Sequence, residues 1–227
     1  MVVKVKEQKV KLDASAVIDA AYEVVDHEGL DALTIRHLAG RLFVTPMALY
    51  WHFADKQALI DALVDQMWRD ARAILADPTR TEATPATLHH VIEALVQAFR
   101  VHPALAALAP MRVLECEAGL DITEDALAML CDMGLTPRQA AFAARMALTS
   151  AIMLVSTMPG VQLPDDESRD EMLRVKRATL SSLPPQRYPF LIAAGPDLVD
   201  CDDPEGYFSS GIDMIVAGIV TASHAVA

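Results

Sequence analysis

Arg36, Tyr50, His52 and Lys56 lie close together in the chain and share one chemistry, the binding of nucleic acid. A phenol, an imidazole and an ammonium group can each donate to a phosphate oxygen, and such contacts fix a protein on a duplex. A guanidinium fork matches the major-groove edge of guanine, which makes Arg36 the candidate for a base contact. Between them stand Thr45, Pro46, Met47 and Ala48, none with a long hydrogen-bonding side chain. That set limits bidentate readout. It leaves Thr45 for a polar contact, and Met47 and Ala48 for apolar contact with thymine methyl groups.

Two short helices and the start of a third are needed to hold these groups. Thr34 is a helix N-cap candidate, and Ile35, Leu38, Ala39 and Leu42 follow at helical spacing on one face. Phe43 and Val44 interrupt the pattern. Thr45 caps the next helix with Pro46 in its first turn, where a missing N–H costs nothing. Asp55 caps a third helix from Lys56, and Trp51 is expected in the core. A short helix, a tight turn and a second short helix is the arrangement that lays the second helix in a major groove. Asp13 caps a preceding helix that ends near His27 at Gly29, its buried side formed by Val17, Ile18, Ala21, Tyr22, Val24 and Val25.

The run LTIRHLAGRLFVTPMALYWHFADKQALIDAL resembles the DNA-binding region of the TetR family of bacterial transcriptional repressors. The LYWHF block with Lys56 is its most specific part and points towards the tetracycline-repressor branch. The strong match covers residues 12–66. There is one departure: the family usually has Gly in the turn where this chain has Phe43. Gly tolerates positive φ there and a bulky residue does not, so a strained or rearranged turn is expected. The tetracycline branch holds its drug with magnesium through His and Glu side chains. That set does not map onto this chain, and Arg72 stands where a drug-reading His is required, so tetracycline binding is not expected.

The 227 residues carry a formal charge of −12, which at first argues against DNA. Its distribution removes the objection. Residues 1–56 hold 7 Lys and Arg against 8 Asp and Glu, whereas residues 57–227 hold 12 against 23. Local field, not total charge, steers association with phosphates. Lys4, Lys6, Lys9 and Lys11 form a basic arm that either neutralises phosphates or only solubilises the terminus. Ala, Leu and Met dominate without sustained alternation, so the chain reads as all-α. No secretory signal and no run of eighteen apolar residues is seen, which predicts a cytoplasmic protein off the membrane. Cys116, Cys131 and Cys201 lack metal-ligand spacing and read as small buried hydrophobes.

The expected organisation is a helix-turn-helix head over residues 1–55 and a ligand-binding and dimerisation body over residues 56–227. A linking helix over residues 56–76 leads to body helices at Pro85–Val101, residues 123–133, residues 137–158, Asp166–Ser181 and Pro204–His224. Small residues let helices approach closely. Ala140, Ala144, Ala147 and Ala151, with Gly211, Ile215, Gly218 and Ala222, are therefore the candidate dimer interface. The resemblance also implies a pocket between the linking helix and the body. Its candidate lining is Trp68, Phe99, His102, Met111, Phe142, Met146 and Met153, with Arg72, Arg112 or Arg145 for an anionic group.

No GxSxG, GxGxxG, P-loop or HExxH occurs, so catalysis is not expected. His89 and His90 point to different helix faces, which argues against a metal site with His102, Glu93 and Glu115; no metal or cofactor is expected. The reading is a homodimeric repressor that binds a palindromic DNA operator and is released by a mainly apolar small molecule. The alternatives are a DNA-binding regulator with no effector, and an enzyme on a helical scaffold.

Overall fold

The computed structural model describes residues 13–75, 82–159 and 166–224. The basic arm with Lys4, Lys6, Lys9 and Lys11 lies outside the described residues, as do the expected end of the linking helix at residue 76 and residues 160–165. Every regular element among the described residues is helical. In chain order these are α1 (Ala14–Glu28), α2 (Ile35–Arg41), α3 (Pro46–Tyr50), α4 (Lys56–Leu75), α5 (Pro85–Val101), α6 (Pro103–Ala106) and α7 (Ala109–Arg112). There follow α8 (Glu117–Asp132), α9 (Pro137–Ser156), α10 (Asp166–Ser181), α11 (Pro189–Ala193), α12 (Gly195–Val199) and α13 (Pro204–His224).

The chain divides into two compact units, Met1–Leu63 and Val64–Ala227, with the division inside α4. In the first unit α1 packs on α2, and α2 on α3. Val17, Val24, Leu33, Leu38, Leu49, Leu59 and Leu63 fill its interior. Capping explains where these helices begin: Asp13 accepts from the Ala16 N–H at 2.9 Å, Thr34 from His37 at 3.1 Å and Asp55 from Ala58 at 2.8 Å. Gly29, at φ 85°, ends α1 by donating to the Val25 carbonyl.

In the second unit α5 is the core helix, with Leu88, Ile92, Leu95, Val96 and Phe99 buried. It packs on α9 and α13, and α9 packs on α8 and α13. A capping box of Thr136 and Gln139 opens α9. The helix α8 starts at Glu117, six residues before the expected Thr123. Gly119 sits inside α8 at a close approach, where a Cβ would collide with the Val113 carbonyl oxygen. The expected end of α9 at residue 158 moves to Ser156. Residues 184–195 contribute α11, and α12 begins at Gly195. Asp200, at the end of α12, ties it to α10 by accepting from Arg169 at 2.9 Å and Arg177 at 3.2 Å.

Candidate nucleic-acid interface and body surfaces

The polar ties of the first unit join α1 to α4 in the core and α1 to α2 at the surface. The Tyr22 hydroxyl donates to the Leu63 carbonyl at 2.7 Å in the buried core, joining α1 to α4. Glu28, at the end of α1, receives Arg41 at 2.8 Å and His37 at 3.0 Å, both from α2; Arg41 also reaches Glu23 at 3.4 Å. The hydrogen bond from His37, then that from Arg41, holds the Glu28 carboxyl below its ordinary range against the opposing effect of burial. Arg41, which flanks the motif in sequence, is thus engaged in a clamp between α1 and α2.

The candidate DNA contacts stand apart from that clamp. Arg36, Thr45, Pro46, Met47, Tyr50 and His52 are exposed and Ala48 is half-buried. Arg36 has no ion pair among the described residues. Lys56 is half-buried, and its ammonium donates to the Leu30 carbonyl at 3.3 Å. Trp51 corrects the expectation of a core aromatic: it is 84% exposed, and Phe53 supplies the buried ring instead. Phe53 stands four residues after the buried Leu49, the spacing that could have identified it. The turn is formed as the Phe43 substitution implied. Phe43 has φ 55°, the one positive φ at a non-glycine residue among the described residues.

In the second unit the nine candidate ligand contacts are not gathered into one pocket. Trp68 and Phe99 do meet, edge to face with centroids 5.8 Å apart, and both are fully buried. The Trp68 indole donates to the Ala109 carbonyl at 3.2 Å, which fixes it as a core residue between α4 and α7. Arg112 forms a two-pronged pair with Asp65, both bonds 3.0 Å, and meets Glu115 at 2.7 Å. Arg72 pairs with Asp125 at 3.1 Å and Asp121 at 4.0 Å. It lines a cleft of about 220 Å³ with Asp65, Arg69, Cys116 and Glu117. Burial pushes the Cys116 thiol above its ordinary pKa, so it is not primed as a thiolate. His102 stands at the junction of α5 and α6. Met111, Phe142, Met146, Met153 and Arg145 are exposed.

Phe142 and Met146 open instead onto a groove of about 470 Å³ between α9 and α13. Ala147, Met214, Ile215, Gly218 and Ala222 share it, so two candidate ligand residues join four candidate interface residues. The rest of the expected interface is corrected by burial. Ala140 and Ala151 are fully buried within the protomer, because the alanine stripe of α9 turns towards α5 and α8. Ala144 is half-buried. Gly211 serves the α9–α13 contact inside the protomer, since a Cβ there would collide with the Leu154 side chain. Gly218 has nothing within 4 Å of the place its Cβ would take. No group of three metal-ligating side chains occurs among the described residues.

The family described as bacterial regulatory proteins, tetR family, matches residues 17–63, and the tetracyclin repressor-like C-terminal domain matches residues 81–222. The chain is 28% identical to the class A tetracycline repressor protein of Escherichia coli, over 92% of this chain and 91% of that one. It is 52% identical to the class G repressor of Vibrio anguillarum over 60 residues, 26% of this chain and 29% of the other. In fold it is similar to the TetR family protein ActR of Streptomyces coelicolor, solved in complex with actinorhodin. The TM-score is 0.71 at 24% identity, covering 94% of this chain and 97% of that one.

Proposed function

This chain belongs to the tetR family of bacterial regulatory proteins, and from that premise we propose that it is a homodimeric repressor released from a palindromic operator by a small, mainly apolar molecule. Its class is that of transcriptional regulators, not enzymes. Residues 1–55 serve as the DNA-reading head, and residues 56–227 as the body for ligand and partner.

The observation that carries the reading is the surface of the first unit. Thr45, Pro46, Met47, Tyr50 and His52 are exposed on and beside α3, while Leu38, Leu49, Phe53 and Leu59 close the core beneath them. Tyr50, His52 and Lys56 take phosphates, Arg36 takes a guanine edge, and Thr45 to Ala48 enter the groove. Two such heads about one DNA turn apart, roughly 34–36 Å, would match two half-sites. The twofold contact is assigned to the open groove of α9 and α13, around Phe142, Met146, Ile215, Gly218 and Ala222. By length and composition α9 could cross a membrane. A partner subunit on its exposed apolar face accounts for that face without a bilayer. A cytoplasmic location follows from the operator.

The body is coupled to DNA through α4, one helix with residues in both units. Asp65 and Trp68 tie it to α7, and Arg72 ties it to α8. A ligand that favours a different set of these ties shifts the protein towards a state unfit for the operator, by no more than its difference in affinity for the two states. Tetracycline itself is not the effector proposed, because Arg72 is committed to Asp121 and Asp125. The scatter of the nine candidate lining residues favours a second reading, a regulator with no small-molecule effector.

Gel shift against DNA selected from a random-sequence pool tests operator binding, and its failure would return the chain to the scaffold class. A thermal-shift screen separates the two regulator readings. A ligand at 100 times its Kd adds about 2.7 kcal/mol, whereas a regulator without effector shows no such hit.

A further inference from the structure

Phe43 closes α2 in a Schellman-type turn: the Val44 N–H donates to the Ala39 carbonyl at 3.0 Å, and the Phe43 N–H to Gly40 at 3.2 Å. That turn requires a left-handed residue at Phe43, and its φ is 55°. Glycine takes this conformation without penalty, while a bulky side chain is strained in it. Packing does not offset the strain, because the ring is 96% exposed. A lone exposed apolar residue needs no explanation, but an exposed ring in a strained backbone does. Gly40, three residues earlier in α2, is the reverse case. It sits in a helix, and a Cβ there would meet nothing within 4 Å. Along this rim the residues follow no requirement of the protomer.

What the protomer does not require, a partner can. Phe43, Met47 and Trp51 follow one another at four-residue steps and are 96%, 65% and 84% exposed. Phe43 stands three residues before the first residue of α3 and is continuous with the face assigned to the major groove. The reading residues Thr45 to Ala48 carry no long donor or acceptor, and the apolar feature a major groove offers is the thymine 5-methyl group. We propose that Phe43 is a specificity-determining residue whose ring packs on a thymine methyl of the operator. The inference rests on the DNA-binding reading above and extends it to a residue outside the reading helix.

The test uses the full-length protein and a duplex that wild type selects from a random-sequence pool, with each thymine replaced in turn by uracil. Replacement removes one methyl group. At the thymine under Phe43 wild type should lose about four-fold in affinity, the worth of one buried methyl-sized group. Phe43→Gly and Phe43→Asn both suit the left-handed turn, so neither should cost the fold, which a thermal melt verifies. Both variants should bind at least roughly ten-fold more weakly, as loss of a buried ring implies, and be indifferent to uracil at that one position. Other uracil-sensitive positions should persist. Variants that bind like wild type overturn the proposal. So do variants that bind weakly yet keep the whole uracil profile, which would put the ring on the sugar–phosphate wall. Wild type that selects no duplex would overturn the regulator reading itself, an outcome visible before any variant is made.

Discussion

Replacing Gly218 with leucine separates a surface meant for solvent from one meant for a second copy. Gly218 lies on α13 in the groove shared with Phe142 and Met146, and nothing stands within 4 Å of its Cβ position. Within one protomer, therefore, the introduced side chain meets no obstacle at its Cβ. Exchanging a helical glycine for leucine should even stabilise the monomer, by about 0.5–1 kcal/mol. Across a twofold contact the sign reverses. An interface that closes on Gly218 meets the leucine from both copies, and overpacking costs roughly 1–3 kcal/mol at each. Two copies at roughly 2–6 kcal/mol weaken the dimer by at least about 30-fold. Sedimentation over a range of concentrations should show the variant as a monomer where wild type is a dimer, with helical content by circular dichroism unchanged. Operator binding should fall with the dimer. A Gly218→Leu protein that sediments as a dimer and binds as wild type does would refute the placement of the interface on α9 and α13.

Tyr50→Ala and Lys56→Ala should weaken binding to all sequences, each lowering the salt slope by about one, whereas Arg36→Ala should relax preference at one base pair at a cost of about 1–3 kcal/mol. Salt titrations against matched and mismatched duplexes distinguish these groups, and identical behaviour in both would remove the division. Lys56→Ala also loses the bond to Leu30, so its melting point is measured alongside. Phe43→Gly should leave stability unchanged or raise it by up to about 1 kcal/mol, as relief of a left-handed residue is partly offset by the entropy of an added glycine; an unfolding free energy lowered by about 2 kcal/mol in urea denaturation would mean the ring is packed. Asp65→Asn should destabilise the body by roughly 1–3 kcal/mol, since Arg112 loses a two-pronged charged partner, and Asp65→Leu with Arg112→Met should recover most of it in chemical denaturation. Glu28, held below its ordinary pKa, stabilises the α1–α2 clamp fully above the carboxylate range, and that stability is lost as pH falls through the folded-state value; Glu28→Gln should flatten the acid limb of the melting curve below about pH 4.5.

The helical architecture was legible because its signals are local. Asp13, Thr34 and Asp55 each accept from the N–H that an N-cap should, Gly29 takes the positive φ that ends a helix, and α10 and α13 begin and end where their patterns do. The errors arose where spacing could not say which of two apolar surfaces a residue would face. Trp51 and Phe53 are two residues apart and equally apolar, yet only the turn after α3 decides that Phe53 points inward. Ala140 and Ala151 of α9 have the periodicity of an interface but are buried within their own chain, where α9 packs on α5 and α8. Small residues mark close approach without naming the partner. Gly119 inside α8 and Gly211 against Leu154 are the same lesson at single positions.

Charge behaves differently from apolar pattern, and this decides how far site residues can be read in such a chain. Arg36, Arg41, Arg72 and Arg112 are one residue type, and the sequence offers Arg36 to a base edge and Arg72 and Arg112 to an anionic ligand. Three are committed within the protein: Arg41 to Glu28 and Glu23, Arg72 to Asp125, and Arg112 to Asp65. A guanidinium held by fixed carboxylates is a poor anion site, because binding a ligand must first break those charge-assisted bonds. Arg36 lies on the exposed side of α2, away from such pairs, and is the one of these four still available to a base edge. The acidic balance of residues 57–227, which at first argued against DNA binding, therefore has a local role. Its carboxylates hold Arg72, Arg100, Arg112, Arg169 and Arg177 in place, while the charges of residues 1–56 nearly cancel.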